Sequence, residues 1–473
     1  MFTRSFSSFV AISLLVATVS GCTRYRREPL NTALIQQQLQ RVSFAEVSST
    51  TELQSGNALI DPAKGLDADG IAIAALLLNP ALKAKRIEKG IAAGQLIQAG
   101  LWPNPEFDSK SQWQTDGHGR TIEAALALEV LRWNERSAEK QASRANIQAV
   151  RFDILAEEWK VVSEARLAYW NVVGIQQKQV IAKQALALAE RLAGITTKRV
   201  EARAATSLDR TLAELDLSKL RLELLQIDAD LNTSKAQLAQ IVGVSPTTEI
   251  KLLVSKPAYG TLPNEWRLAE MIAVLPGSAA VKAAEYRYEI AEGDLRAAIA
   301  RQYPSLKIGP SGEFDYDGSW TSFFGAVVAV DIPLFHRNQG EIKSKLARRE
   351  QAKAEYTALL FEQQAQLNSA IRNVQALEIQ LGFWIERIVP QTEESIKLSE
   401  RSFETGVIDV QTLLRAQSSV IDTKRKYADA LLDYHRAVQA LETALGRKLD
   451  PTRDYISRPT LLKTQDPSQP TQP

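Results

Sequence analysis

The sequence predicts a mainly α-helical chain with a smaller β-barrel part, assembled from two copies of one unit. Three observations lead there. The chain aligns with itself at offsets that stay between 199 and 203 residues. Its helical stretches repeat apolar residues every seven positions, and two pairs of short segments alternate apolar and polar side chains instead, the period of a β-strand.

Composition narrows the function before any motif does. Of 473 residues, 24% are charged and 45% hydrophobic, which fits neither a disordered polyelectrolyte nor a polytopic helical membrane protein. Lys and Arg number 57 against 55 Asp and Glu, a net charge of +2 that lacks the basic excess nucleic acid requires. The single cysteine excludes a disulfide framework, and no Cys/His spacing resembles a zinc site. His118, His336 and His435 lie far apart, leaving little material for acid–base catalysis. No Gly-rich phosphate loop occurs. The expectation is a chain with no catalytic residue, no metal site, no cofactor and no nucleic-acid partner.

The N-terminus carries a targeting signal. Residues 1–21 hold one charged side chain, Arg4, and the largely apolar run Phe9 to Val19, too short to span a bilayer but suited to a signal peptide. Val19-Ser20-Gly21-Cys22 resembles a bacterial lipobox, which implies cleavage before Cys22 and acylation of that cysteine. Several acyl chains on one residue exceed the two signals that stable anchoring requires. The alternative is an ordinary signal peptide followed by an incidental cysteine; a lone Cys right at the end of that segment favours lipidation. Thr23 rather than Asp follows Cys22, which by resemblance to lipoprotein sorting points to the outer membrane.

The repeat sets the domains. A shift of 199 pairs Lys83 with Lys282, Gly94 with Gly293 and Pro105 with Pro304; a shift of 203 pairs Glu201 with Glu404, Leu238 with Leu441 and Gly243 with Gly446. Each copy reads as helix, β-hairpin, long helix, turn, long helix. The boundaries are 1–21 for the signal peptide, 22–65 for a lipid-anchored N-terminal segment, 66–250 and 251–450 for the two repeats, and 451–473 for a tail that is Pro/Gln-rich from Leu462 and predicted to be disordered. Within 22–65, Asn31 to Gln40 can be helical.

Leu217, Leu224, Leu231 and Leu238 recur strictly in the first copy, and Leu413, Val420, Tyr427, Tyr434 and Leu441 in the second. Such heptads predict supercoiled packing of long antiparallel helices. From Asn134 to Ala202 no proline intervenes, and a helix of that extent would reach about 100 Å at 1.5 Å per residue. Pro390 predicts a kink or break near Val389 in the second copy. Val242-Gly243 before Pro246 and Leu445-Gly446 before Pro451 carry the chemistry of helix ends.

Strands are expected at Phe107 to Gln114, Thr121 to Val130, Leu306 to Phe314 and Phe323 to Ile332, with turns through Asp116-Gly117-His118-Gly119 and Asp317-Gly318-Ser319. Ile122, Ala124, Leu126, Leu128 and Val130 share one face; Phe324, Ala326, Val328, Val330 and Ile332 share another. About ten residues is the length of a tilted transmembrane strand. Four strands close no barrel alone and lipid tolerates no open edge, so membrane insertion would require several chains in one barrel.

Asn79-Pro80, QAGLWPNPEF from Gln98 to Phe107, RQYPSL from Arg301, VDIPLF from Val330 followed by Arg337-Asn338-Gln339-Gly340, and FETGVID from Phe403 continuing to Leu413-Leu414-Arg415-Ala416-Gln417 together resemble the TolC-like outer-membrane factor family. The resemblance runs from about Leu66 to Gly446. It implies a homotrimer in which each chain gives four strands to a 12-stranded barrel in the outer membrane and paired helices to a periplasmic α-barrel. A periplasmic adaptor and an inner-membrane pump are the implied partners of a passive efflux duct, with outer-membrane lipid around it. The QAGLWPNP stretch is similar to members serving metal-ion exporters.

In that picture the turns at Arg203 to Ser207 and Gly406 to Asp409 form the periplasmic tip. Arg203, Thr206, Ser207, Gly406 and Asp409 are candidates for adaptor contact, with simple turn and capping roles as the alternative. Asp209 and Arg415 are gate candidates; relatives often carry an acid where Arg415 stands, so an acidic ring at that position is in doubt. Trp102, Trp113, Trp133 and Trp320 suit an interfacial girdle. Trp159, Trp170 and Trp384 read as packing residues, and His118 as part of an outer loop. Two rival functions stay open: a periplasmic coiled-coil scaffold lipoprotein without a pore, and a duct for protein or peptide secretion.

Overall fold

A computed structural model describes residues 25–41, 65–113, 119–130, 132, 134–253, 259–261, 272–449 and 456–458. The signal peptide, Cys22, most of the 22–65 segment, His118, Trp133 and the tail from Leu462 lie outside the described residues. The chain divides into two units, Met1–Ser43 and Phe44–Pro473. The first contributes α1 (Thr32–Arg41), within a residue of the expected helix and capped by Asn31, whose side chain accepts from Leu34 N at 3.1 Å.

The second unit opens with α2 (Ala68–Leu78) and α3 (Pro80–Gly100). Asn79 between them caps α3 by accepting from Leu82 N at 2.9 Å, while its amide donates to Ile241 O at 2.8 Å. Then come β1 (Glu106–Trp113), β2 (Gly119–Val130), α4 (Glu135–Glu201) and α5 (Ser207–Val242). After the short β3 (Tyr259–Thr261) and a 3₁₀ turn at Leu275–Gly277, the order of helix, hairpin and two long helical arms returns. These are α6 (Ala279–Ala300), β4 (Ser305–Asp317), β5 (Trp320–Asp331), α7 (Gln339–Phe383), α8 (Val389–Glu404) and α9 (Val410–Leu445). The last strand, β6 (Ile456–Arg458), pairs antiparallel with β3.

Helix α4 has 67 residues, close to the expected span and about 100 Å long. Its first half buries alanines at 138, 142, 145 and 149, a stripe of small side chains that lets α6 approach closely with its own buried Ala283, Ala284, Ala297 and Ala298. Farther along, Val161, Ala165, Tyr169, Val172 and Val173 take over the buried face.

The second arm packs as the heptads predicted. Leu367, Ile371, Val374, Leu381 and Ile385 meet Tyr427, Leu431, Tyr434, Leu441 and Leu445 of α9 in one core cluster. Each fully buried aliphatic side chain there contributes about 1.5–3 kcal/mol. On α5 the predicted row is fully buried only at Leu231 and Leu238. A second heptad row, Leu208, Leu215 and Leu222, is exposed.

Pro390 does not break its helix. A π-helical turn at Trp384–Ile388 joins α7 to α8, and Val389 N–H bonds Trp384 O, five residues back. The hydrogen-bond ladder slips by one residue just before the residue that cannot donate, so the irregularity lies one turn earlier than expected. Gly243 and Gly446 end α5 and α9 at φ 85° and 65°.

A partly buried ionic cluster joins the ends of this unit. The Arg166 guanidinium bonds Glu442 at 3.2 Å and Asp69 at 2.7 Å, and Leu449 N donates to Glu442 at 2.9 Å. Burial pushes the Glu442 carboxyl up from its ordinary value. Four strands form one antiparallel sheet in the order β1-β2-β4-β5, leaving β1 and β5 as bare edges.

Candidate functional site

The register of the sheet decides which side chains share a face. Trp113 pairs with Arg120, Arg120 with Tyr316, and Tyr316 with Trp320, so one row crosses all four strands at the hairpin end. The face carrying that row continues through Ile122, Leu126, Leu128 and Val130 of β2, Leu306, Ile308 and Phe314 of β4, and Phe324, Val328 and Val330 of β5. The alternation read from the sequence therefore holds, and Arg120 is the only charged side chain on this face among the strand residues described. Phe107, Trp113, Phe324 and Val328 are all well exposed in the single chain.

The opposite face is polar and acidic. It carries eight carboxylates, Glu106, Asp108, Glu123, Glu129, Glu313, Asp315, Asp317 and Asp331, against Lys110 and Lys307. Glu123 and Glu313 stand directly opposite each other, a like-charge pair that an antiparallel ladder tolerates only in water. Lys307 answers part of the charge by bonding Glu106 at 2.5 Å, and the Thr121 hydroxyl donates to Asp315. Neither the single-cation apolar face nor the acidic excess was noticed in the sequence. The β2–β4 pairing that brings the two hairpins together was the missing information.

At the far ends of the long helices two turns stand in parallel. After α4, Arg203 adopts φ 57°, and Ala204 N bonds Arg199 O at 2.7 Å; after α8, Gly406 adopts φ 76°, and Val407 N bonds Ser402 O at 2.8 Å. Both turns thus use a left-handed residue to satisfy the last carbonyls of a helix, with arginine where glycine is the unstrained choice. Thr206 caps α5 and Ser207 is its first residue; Asp409 caps α9 by accepting from Thr412 N at 2.8 Å.

Asp209 is engaged more closely than the sequence reading foresaw. Its carboxylate accepts from Thr206 N at 2.9 Å and from the Thr206 hydroxyl at 2.7 Å, while Asp209 N donates back to Thr206 Oγ1 at 3.2 Å. This is a capping box, and its signature, Thr206-x-x-Asp209, was legible. The Thr206 backbone N–H, then its hydroxyl, hold the Asp209 carboxyl below its ordinary value, partly opposed by the nearby Asp409 charge. The Thr412 contacts lower Asp409 likewise, helped by Arg415. Arg415 is exposed on α9. Arg199, which the sequence reading passed over, lies 5.1 Å over the Phe403 ring and also favours the Asp209 anion, so it links the two turns.

Trp113 and Trp320 sit at strand ends and Trp102 in the approach to β1. Trp170 stacks on His435 at 3.7 Å, and Trp384 packs against the α7–α9 core. Among the described residues no group of three or more His, Cys, Asp or Glu is arranged to hold a metal ion, and no helix is long and apolar enough to cross a membrane.

Comparison with known proteins gives this geometry a context. The outer membrane efflux protein family model matches residues 273–447, most of the second repeat. The cobalt-zinc-cadmium resistance protein CzcC of Cupriavidus metallidurans is 24% identical over 384 residues, covering 77% of this chain and 86% of CzcC. The pyoverdine export outer membrane protein OpmQ of Pseudomonas aeruginosa is 22% identical over 345 residues, 71% of each chain. Among solved structures, CusC, described in terms of transmembrane channel formation, superposes with a TM-score of 0.70 at 16% identity, covering 81% of this chain and 93% of CusC.

Proposed function

We propose that this chain is a TolC-like outer-membrane factor and serves as the outer-membrane exit duct of a tripartite efflux system. The observation that carries the reading is the sheet. It has one apolar face, one acidic face and two bare edges, on strands long enough to cross a bilayer at a tilt. An exposed edge cannot persist in lipid, so β1 of one copy would pair with β5 of the next. Three copies give the 12-stranded barrel of the family, with the acidic face toward an aqueous lumen. The exposed Leu208–Leu215–Leu222 row of α5 would then pack against neighbouring helices of a periplasmic α-barrel.

The finer assignments belong to the same proposal. Cys22 carries the lipid anchor after removal of residues 1–21. Residues 66–250 and 251–450 act as two copies of one unit, followed by the 451–473 tail. The turns at Arg203, Thr206 and Ser207, and at Gly406 and Asp409, present the duct to a periplasmic adaptor and, through it, an inner-membrane pump. Asp209, Asp409 and Arg415 set the charge of the closed tip, where three-fold repetition of like charges favours opening unless they are hydrated or paired. The acidic lumen suits cationic cargo, in keeping with the metals in the name of CzcC.

Single-channel recording in planar bilayers, with the mass of the detergent-solubilised protein determined alongside, tests the reading. A trimer that forms small channels, widened when Asp209 or Arg415 is replaced, supports it. A soluble monomer without conductance in any variant would overturn it in favour of a coiled-coil scaffold.

A further inference from the structure

Among the described residues, the cation in the row Trp113–Arg120–Tyr316–Trp320 has no carboxylate to meet it. Arg120 is exposed on the otherwise uncharged face of the sheet, its guanidinium 5.3 Å from the Trp113 ring centroid. Among the described residues that ring is its partner. Tyr316 and Trp320 close the row, with ring centroids 5.2 Å apart. The sheet's carboxylates all lie on the other face, so the strands themselves supply no counter-ion.

Position along the strand says what could. Arg120 and Val130 are ten residues apart on β2, about 33 Å at 3.3 Å per residue. A tilt of about 40° reduces that to about 25 Å, the height of the apolar band of an outer-membrane barrel. Arg120 therefore stands at one membrane interface. An arginine on the lipid face costs about 2–4 kcal/mol at the midplane but only about 0–1 near the interface. The end opposite Arg120 leads into α4, so the Arg120 end faces away from the helices and, for a protein extending into the periplasm, lies in the outer leaflet.

The other interface offers a contrast within the same chain. There Arg136 lies 4.6 Å over the Trp102 ring, but its guanidinium also donates to Gly100 O. The inner arginine is satisfied by backbone; among the described residues the outer one meets only the Trp113 ring. Resting on the barrel reading above, we propose that Arg120, flanked by Trp113 and Tyr316, binds the phosphate of an anionic glycolipid headgroup in the outer leaflet. A guanidinium fork matches phosphate oxygens in two parallel hydrogen bonds, and the aromatic rings take up the adjoining sugar and acyl boundary.

The test titrates the full-length, detergent-solubilised protein with bis-phosphorylated lipid A or with the same lipid dephosphorylated, and counts bound lipid by native mass spectrometry. The expected result is at least tenfold tighter binding of the phosphorylated form, lost in Arg120→Gln and recovered in part by Arg120→Lys. Oligomer mass and single-channel conductance should stay unchanged in both variants. Equal binding by Arg120→Gln, or no preference for the phosphorylated lipid, overturns the assignment while an intact conducting oligomer leaves the duct reading standing. Loss of oligomer and conductance in the unmodified protein would instead defeat the duct reading.

Discussion

A β-carbon placed on Gly309 would lie 1.7 Å from the carbonyl oxygen of Leu126 on the neighbouring strand. The next residue, Pro310, has no N–H to give the ladder, although β4 is paired on both sides. The β2–β4 register passes from Ala125↔Ser311 to Leu128↔Ile308 across this point, so the two hairpins join by close backbone approach here. Gly309→Ala is expected to destabilise the protein by about 2–3 kcal/mol, since backbone rather than a side chain must give way. Gly312→Ala, whose β-carbon meets nothing closer than the Phe314 ring at 3.5 Å, should be nearly silent. Thermal unfolding in detergent separates the two.

At the tip, Arg203→Gly should stabilise the turn by about 1 kcal/mol, because arginine at φ 57° carries the left-handed penalty that Gly406 avoids. Thr206→Ala should do the opposite by about 1 kcal/mol through loss of the cap. Amide exchange of the first turn of α5 reads both, and identical exchange in all three proteins would contradict the account.

The capping box gives a pH dependence of definite sign. The Asp209 carboxyl lies lower in the folded chain than its ordinary 3.8, so the carboxylate's contribution is complete above that value. It is lost as pH falls from 3.8 through the lower native value. Exchange at Asp209 N should therefore accelerate only in that acid range, and Asp209→Asn should remove the step.

His435 acts higher in pH and for a different reason. Burial against Trp170 and Tyr434 lowers it from 6.5 to about 3, and its Nε2 has no hydrogen-bond partner among the described residues. Below 6.5 the unfolded chain takes a proton that the folded chain refuses. Stability should then fall by about 1.4 kcal/mol per pH unit down to about pH 3. His435→Phe keeps an aromatic ring on Trp170 and should flatten that slope in melting curves between pH 6.5 and 4.

The acidic sheet face predicts ion preference. Reversal potentials across a salt gradient should favour cations, and Glu123→Gln with Glu313→Gln should move them toward zero. Removing the direct Glu123–Glu313 opposition should also raise thermal stability by up to about 1 kcal/mol. An anion-preferring channel would mean that this face does not line the pore.

Much of this was legible without coordinates. The heptads located the α9 side of the core, Gly243 and Gly446 located two helix ends, and alternation located four strands and their apolar face, because each depends on a local period or on one residue's backbone freedom. Pro390 was a true signal with an incomplete reading: sequence marks the missing donor, but not that a π turn at Trp384–Ile388 absorbs it. Asp209 was noticed as a charge when its nearer partner was Thr206, three residues away.

The sequence by itself determined element order, the extent of the first long helix and the strand faces, since these follow from spacing along one chain. Tertiary structure alone decided that β2 pairs with β4, nearly two hundred residues apart. That pairing places Arg120 between Trp113 and Tyr316, sets Glu123 against Glu313, and brings the Leu126 carbonyl against Gly309. Cross-strand neighbours are fixed by register between distant segments, and a shift of one residue would send every one of those side chains to the other face.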